Sequence, residues 1–552
     1  MSATDLSVTF VFTLLVFICG ISFSKAGGSM KSYFAAGGAL PWWISGLSLF
    51  MSFFSAGTFV VWGSIAYSSG WVAVTIQWTM AIAGIIIGFL IAPKWQQTKA
   101  LTAAEFIRNR LGETTQKTYT YLFLGISIFT TGAFLYPVAK IVEVSTGIPI
   151  ATSIIVLGTL ILIYTAVGGL WAVIVTDVLQ FIVLTAAVFM VVPLAFQKIG
   201  GIQCFISKAP ERFFELTNSE YSWVFMIAFG LYNLFFIAGN WAYVQRYTSV
   251  ATQKDAKKVG WLFGGLYVIS PVIWMLPPMI YRVLNPELVE LADEGAYLLM
   301  CKEVLPLGIL GLMLGGMVFA TSSSVNTTLN ISAGVLTNDL YRSFFPETSD
   351  KKLMRIAKLA TVGLGVLTII IALLVPYLGG IVEVVMSLAA LTGGAMFLPP
   401  LWALFSKRQT GKTALLVTVV SLTINGFFKF FAPDLIDVTF DRATEMVVGM
   451  GVPIVMLAII ERLLIQSNNS TEAFEAYERI RDSKENETTA TETSEENGNR
   501  RGTRVIGTGI TATGLLILML GFMGDTGQWL VRGMGLIVLS LGAFIIKKSR
   551  NS

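Results

Sequence analysis

The chain has 552 residues, 55% of them hydrophobic and 13% charged, with a net charge of +5. A mean hydropathy of +0.73 excludes an ordinary soluble globular protein and calls for a bilayer. The chain has no histidine, so imidazole metal sites and Ser-His or Cys-His catalysis are excluded within it.

Fifteen apolar stretches, each near the length of about 20 residues that crosses a hydrocarbon core, follow one another along the sequence. The first, 5–24, has no basic segment ahead of it and ends in ICGISFSKAGG, so it reads as a retained helix rather than a cleaved signal. The second, 42–67, begins PWWISGLSLFMSFFSAGTFVVW, and its SFFSAGT (52–58) sets small and hydroxyl residues in the middle of a crossing. A packing face of small residues four apart fails at Val60 and at Phe59, so the pattern predicts a helix that unwinds there. Broken helices at that depth offer carbonyls to cations and half-helix N-termini to anions.

Stretches 71–93, 116–146, 149–168 and 170–196 come next. Lys140 and Glu143 fall near the outer end of 116–146, where gate and packing roles are both open. Asp177, in YTAVGGLWAVIVTDVLQFIVL, is the one carboxylate of a long apolar run. It is either functional, as intramembrane acids usually are, or an acid close to a helix start that Gly168-Gly169 sets two turns earlier. After 220–245 and 258–281, the stretch 295–341 holds FATSSSVNTTLN, in which seven of the eight residues 321–328 carry a hydroxyl or an amide. Ala320, Ser323, Ser324 and Thr327 stand at i, i+3, i+4 and i+7, so one face presents a backbone carbonyl and three hydroxyl oxygens, a hard donor set for a cation. The competing reading has each hydroxyl bonded to the carbonyl four residues back, which leaves Asn326 unexplained.

The stretches 355–378, 381–405 (with Glu383 toward its outer end), 412–431 and 445–465 lead to a polar segment, 466–504, read as a cytoplasmic and disordered linker in which STEAFEAYERIRDS can form a short charged helix. The last two stretches, 505–523 and 528–547, stand beyond it. An outside N-terminus and a cytoplasmic C-terminus make the loops that hold KWQQTKALTAAEFIRNRLGETTQK, RYTSVATQKDAKK, RSFFPETSDKKLMRIAK, SKRQTGK and KKSRNS cytoplasmic and basic, as the positive-inside rule requires. Loop placement then explains the net charge with no nucleic-acid partner. Cys204 and Cys301 fall on the outer side, where a disulfide is open to them.

At these residues the chain resembles the sodium:solute symporter family, which includes sodium/glucose, sodium/proline and sodium/sialic acid symporters. The resemblance runs from the first stretch to about Lys412 and rests on SYFAAGGALPWW, LTAAEFIRNRLG, YTAVGGLWAVIVTDVLQ, NWAYVQRYTSVATQKDAKK, FATSSSVNTTLNISAGVLTNDLY and LPPLWALFSKRQ. It implies an all-α membrane protein of leucine-transporter-like fold, with two inverted five-helix repeats, one helix before them and four after. The expected units are 1–40 (N-terminal helix and cytoplasmic loop), 41–198 and 199–408 (the two repeats), 409–465 (two helices), 466–504 (linker) and 505–552 (two helices and a basic tail).

The same resemblance implies a Na⁺ site made by the carbonyls of Met51, Phe54 and Ala320 and the hydroxyls of Ser323 and Ser324. Asp177, Ser323, Asn326 and Thr327 match a second Na⁺ site that some members carry. For the solute it brings in Ser55, Thr58, Gln77, Asn233, Phe236, Tyr267 and Ser387. Gln77 stands where the sugar symporters have a Glu, Phe236 replaces a sugar-capping tyrosine, and Tyr267 replaces a sugar-binding lysine. The arginine that pairs the carboxylate in sialic acid transporters has no counterpart, since 118–139 contains no basic residue. The expectation is a sodium-coupled symporter in the cell membrane that imports a small polar solute, a sugar or polyol, and is not an enzyme. A transporter-like sensor, or a carrier of a monocarboxylate or an amino acid, is the alternative. Na⁺, the solute and the lipid bilayer are its implied partners, and no protein partner is implied.

Overall fold

The computed structural model describes residues 2–21, 40–100, 102–164, 170–288, 290–341, 345, 347–466, 472–488, 495–523 and 527–551. Among them the regular structure is helical apart from one isolated bridge, Leu40 to Val250. Among the described residues ten helices are long and apolar enough to cross a membrane. The remaining expected stretches hold shorter apolar helices or a bent pair.

The principal helices of the first part of the chain are α1 (Ala3–Ile21), α2 (Trp42–Met51), α3 (Gly63–Ser69), α4 (Val72–Ile86), α5 (Ala103–Leu111), α6 (Glu113–Thr146), α7 (Ile150–Tyr164) and α8 (Leu170–Ile199). They are followed by α9 (Trp223–Gly239), α10 (Trp241–Thr248), α11 (Gln253–Leu284), α12 (Ile309–Gly334), α13 (Asp350–Leu374), α14 (Gly380–Thr392), α15 (Gly411–Phe430) and α16 (Arg442–Gln466). The chain closes with α17 (Glu472–Thr488), α18 (Glu495–Leu520) and α19 (Gln528–Asn551).

Local chemistry sets the boundaries. Thr102 and Thr252 cap α5 and α11 by accepting the N–H groups of Glu105 and Asp255, and Thr410 with Thr413 forms a capping box at the start of α15. At Asn240 the chain turns extended, its side chain accepts the Ala242 N–H, and α9 and α10 bend by 61°. The second expected crossing is interrupted: α2 stops at Met51, residues 52–55 leave the helix, and a π-helical turn at Thr58–Trp62 leads into α3.

Without water to drive helix association, close approach depends on small residues. Gly84 of α4 and Gly88, on the π-helical turn Ile87–Ile91 that continues it, lie against Gly264 and Gly260 of α11 backbone to backbone, so that a Cβ on Gly260 would stand 2.6 Å from the Gly88 Cα. A second apolar core joins α1, α8 and the start of α12 to the last two helices, through Phe12, Leu179, Val183, Ile309, Ile510 and Val531. In it Gly509 packs on Leu179 and Gly308 on Leu520.

Two expectations change here. Cys204 and Cys301 are both free; Cys301 is fully buried on the helix Ala296–Val304, within the core, while Cys204 lies on a separate short helix, Ile202–Lys208. The segment read as a disordered linker contains α17, and that helix is docked. Phe474 and Tyr477, three residues apart, give a charged helix one apolar stripe. Tyr477 meets Phe106 of α5 edge to face at 5.7 Å, and Phe474 lies under the Arg110 guanidinium at 5.2 Å.

Candidate cation and solute site

The break in the second crossing sits inside an aromatic cluster. Phe54 stacks on Trp274 at 4.0 Å with the planes 6° apart, and Phe50 meets Phe181 of α8 and Tyr267 of α11 at 5.7 and 5.2 Å. Thr58 donates its hydroxyl to the Phe53 carbonyl and accepts the Ser55 N–H at 3.2 Å. The Ser55 carbonyl takes the Thr58 N–H at 3.0 Å. No bond of this kind falls on the carbonyl of Met51 or of Phe54 among the described residues. The Ala56 N–H donates to the Thr321 hydroxyl at 3.2 Å, which ties the break across to α12 beside Ala320.

On α12 the hydroxyls of Thr321, Ser324 and Thr328 donate to the carbonyls four residues back, at 3.1, 3.4 and 3.0 Å. The competing reading of the polar run therefore holds for these three. The Ser324 bond is long enough to be weak, so its oxygen is held loosely next to the Ala320 carbonyl. The side chains of Ser323, Asn326 and Thr327 lie outside the described residues. Thr321 was not singled out from the sequence; only its place in the polar run marked it.

Asp177 of α8 is 6% exposed and accepts the Ser48 hydroxyl of α2 at 2.8 Å. Buried Arg246 of α10 is close enough to interact with it electrostatically, and its Nη1 donates to the Ala242 carbonyl at 2.8 Å. Ser45 donates to the Arg246 carbonyl at 2.8 Å, so the start of α2 is fastened to the end of α10. Sequence reasoning missed Arg246, although a basic residue in NWAYVQRYT between apolar stretches was the available signal.

The solute candidates fall in neighbouring places. Asn233 of α9 is buried and donates to the Thr79 hydroxyl of α4 at 2.8 Å. Gln77, two residues before Thr79, is fully buried, its Nε2 makes one long bond to the Ala73 carbonyl at 3.5 Å, and its Oε1 has no partner. Phe236 stacks on Tyr232 and meets Phe53 and Phe397. Tyr267 packs on Phe50, Phe263 and Trp274. The structure thus gathers Phe236 and Tyr267 with Ser55 and Thr58 around the break. Ser387 belongs to a different network: its hydroxyl donates to Glu383 at 2.9 Å, and Glu383 is paired with Lys429 and Arg442 at 3.1 and 3.2 Å.

Asp293, half-buried, and Glu294, buried, form an acidic pair. Ser64 donates to Asp293 at 2.8 Å, and Glu294 accepts from the Tyr136 hydroxyl and the Ile381 N–H at 2.7 and 3.0 Å. Lys140 and Glu294 line the same small cavity, and Lys140 is paired with Glu143 at 3.1 Å. Burial, aided by the neighbouring Glu294, pushes the Asp293 carboxyl up to about 6. The unfolded carboxyl ionises near about 4, so the native state holds this proton longer, and the stability it contributes is complete below about pH 4 and lost as the pH rises to about 6. Asparagine keeps the acceptor for Ser64. The melting temperature of Asp293→Asn minus that of the wild type is therefore expected to be near zero at pH 4, to grow up to about pH 6 and then to level off. A difference that stays flat across this range would give Asp293 an ordinary carboxyl.

The description of the sodium:solute symporter family matches residues 33–420, and the chain belongs to that family. Its relatives include the sodium/glucose cotransporter of Vibrio parahaemolyticus, 29% identical over 469 residues that cover 78% of this chain and 86% of that one. The sodium/sialic acid symporter SiaT of Proteus mirabilis is 27% identical over 434 residues, covering 75% and 87%. A substrate-bound, outward-open structure of a Na⁺-coupled sialic acid symporter superposes with a TM-score of 0.69 at 23% identity, over 84% of this chain and 98% of that one. The protein is a multi-pass membrane protein and a sodium-coupled solute symporter with the fold of that neighbour.

Proposed function

We propose that the protein imports a small neutral sugar or polyol across the cell membrane, with Na⁺ bound by the carbonyls of Met51, Phe54 and Ala320 and the hydroxyls of Ser323 and Ser324. The observation that carries this reading is the break at 52–55, where among the described residues no backbone hydrogen bond falls on the carbonyls of Met51 and Phe54, in an apolar, aromatic surrounding, and the adjoining Ala56 is fastened to Thr321. Unpaired carbonyls at that depth are costly unless an ion takes them, and five neutral oxygens suit a Na⁺ that must also leave. Binding orders the break, which completes the solute site formed by Ser55, Thr58, Gln77, Asn233, Phe236 and Tyr267, with Ser387 left to the Glu383 network. Rocking of the helices then opens the inner side.

In this reading the fifteen stretches are spans, with the N-terminus outside and the C-terminus in the cytoplasm. Spans two to six and seven to eleven are the inverted repeats. Asp177 with Ser323, Asn326 and Thr327 holds a second Na⁺. The orphaned Oε1 of Gln77 and the amide of Asn233 favour a hydroxylated neutral solute. A tenfold Na⁺ gradient with about 100 mV supplies roughly 3.7 kcal/mol per ion, enough for about 500-fold accumulation.

The test is counterflow and uptake in proteoliposomes with labelled glucose, myo-inositol, sialic acid, proline and a monocarboxylate, each in Na⁺ and in K⁺. Uptake of a neutral polyhydroxy solute that requires Na⁺ supports the proposal. Uptake of an acid or an amino acid only, or flux indifferent to Na⁺, sinks it.

A further inference from the structure

We propose that α17 is an autoinhibitory strap: docked over the joint between α5 and residues 406–409, it holds the cytoplasmic side shut, and turnover rises when it lifts away. The inference rests on the reading of the protein as a carrier that opens its two sides in turn, and it adds a control that the membrane helices alone do not supply. α17 is charged along most of its length, and its hold on the protein is narrow. Tyr477 is 7% exposed and Phe474 is half-buried, whereas Ile480, one turn further on, is 40% exposed. Two rings carry the dock. A helix fixed for good buries a continuous apolar stripe, and one held by a single turn belongs to the part of a structure that opens first. Arg481 pairs with Glu478 and Asp482 at 3.3 and 2.9 Å, so the helix keeps stabilising contacts of its own when it is undocked.

What the two rings touch gives the strap its leverage. The Phe474 ring lies under two cations from distant parts of the chain, Arg110 of α5 at 5.2 Å and exposed Lys407 at 5.8 Å. Arg110 is 3% exposed, and its Nη2 and Nη1 donate to the carbonyls of Ser406 and Gln409 at 2.7 and 3.1 Å. In the proposed arrangement α5 belongs to the first repeat, and Ser406 and Lys407 end the second. Phe474 therefore sits where the two are fastened together on the cytoplasmic side. Tyr477 reaches inward. It meets Phe106 at 5.7 Å, Phe106 meets Trp95 at 5.1 Å, and the Trp95 Nε1 donates to the Ala238 carbonyl at 2.8 Å, two residues before the bend at Asn240. Phe106 and Trp95 are each 1% exposed. A run of three packed rings thus joins the strap to the bent pair α9 and α10.

Rocking that opens the inner side has to move the bent pair against its surroundings. Trp95 then has to follow the Ala238 carbonyl or release it, and α5 can yield to Trp95 and Phe106 only where Tyr477 does not stand behind it. Phe474 acts on the same state, because its two cations lie together under one ring only while α5 and residues 406–409 stay joined. Both contacts are made in the closed form and lost as the joint parts, which is the differential interaction that a shift of population requires. The strap leaves the cation and solute site untouched and acts on the rate at which the inner side opens.

The experiment uses the full chain in proteoliposomes, with Cys19, Cys204 and Cys301 replaced by alanine and Ser249→Cys as a reporter. Ser249 is 1% exposed at the end of α10, so its thiol takes a maleimide only when the inner side opens. Phe474→Ala together with Tyr477→Ala is expected to label at least about threefold faster than the strapped chain and to melt within a degree or two of it. Its maximal rate of Na⁺-driven uptake of labelled glucose or myo-inositol is expected to rise at least about twofold. In a second chain without the reporter, Lys407→Cys and Phe474→Cys are joined by a short reducible thiol cross-linker. Uptake is expected to fall at least about threefold on joining and to recover with reductant. Equal labelling and uptake with and without the two rings, slower uptake without them, or full uptake in the joined chain each overturn the strap. So does a Phe474→Ala, Tyr477→Ala protein that no longer folds, because α17 would then belong to the core. If neither solute enters the strapped chain, the neutral-solute reading fails and labelling alone decides the strap. Labelling that is indifferent to Na⁺ in the strapped chain overturns the carrier reading, and the strap with it.

Discussion

Alanine at Ser324 is expected to raise the Na⁺ concentration for half-maximal uptake by about tenfold, equivalent to about 1.4 kcal/mol of lost ion binding. The substitution removes one proposed ligand oxygen and leaves the helix otherwise intact, since Ala is the best helix former and among the described residues the hydroxyl makes only the 3.4 Å bond to the Ala320 carbonyl. Melting in choline should therefore shift by no more than a degree or two, which separates ion binding from folding. The measurement is Na⁺ titration of uptake in proteoliposomes beside thermal unfolding with and without Na⁺. Wild-type sodium dependence in a well-folded Ser324→Ala protein would remove this residue from the site.

The largest structural effect is expected at Gly260. A Cβ there would stand 2.6 Å from both Cα and N of Gly88 and 3.0 Å from the Gly84 carbonyl. These are backbone atoms of a facing helix, which no rotamer change can clear. Gly260→Leu must force α4 and α11 apart along the seam where Gly84, Gly88 and Gly264 also meet, at a cost of about 3 kcal/mol or more. Since α4 carries Gln77 and Thr79 and α11 carries Tyr267, both stability and transport should fail together. Gly265 is the control: it lies on the same helix, has nothing within 4 Å of its Cβ position, and Gly265→Leu should change stability by no more than about 0.5 kcal/mol. Equal yields of monodisperse protein from the two variants would show that the close seam does not govern folding.

Much of the candidate cation region was legible because polarity in an apolar helix is a strong signal. The polar run at 321–328 and the small residues at 52–58 stand out at any reading frame, and the interruption at 52–55 falls where those residues predicted unwinding. Distances across the chain were not legible. That Asp177 meets Ser48 and faces Arg246, or that Ala56 bonds Thr321, depends on helices far apart in sequence. Composition misled at α17, where charge suggested a solvated tether and two aromatics three residues apart dock the helix on α5. It also left the cysteines open, because sequence can place two thiols on one side of a membrane but cannot say that one of them is turned into the core.

The second apolar core has a bearing on the order in which the protein is built. Its walls are α1, made at the beginning, and α18 with α19, made after every other helix described, and between them lies the face of α8 that carries Leu179 and Val183. During synthesis that face must wait for the last pair. In water an uncovered apolar surface would invite aggregation, but acyl chains cover it at little cost, so the wait is harmless in a bilayer. For the same reason burial cannot drive the late pair home. What selects their final place is shape: Gly509 closing over Leu179, Leu520 over Gly308, and the two helices locked to each other where Gly514 meets Leu539 and Gly535 meets Leu518. Lipid is thus a temporary subunit of the growing chain, displaced at the end by a hairpin whose glycines let it fit more closely than an acyl tail can.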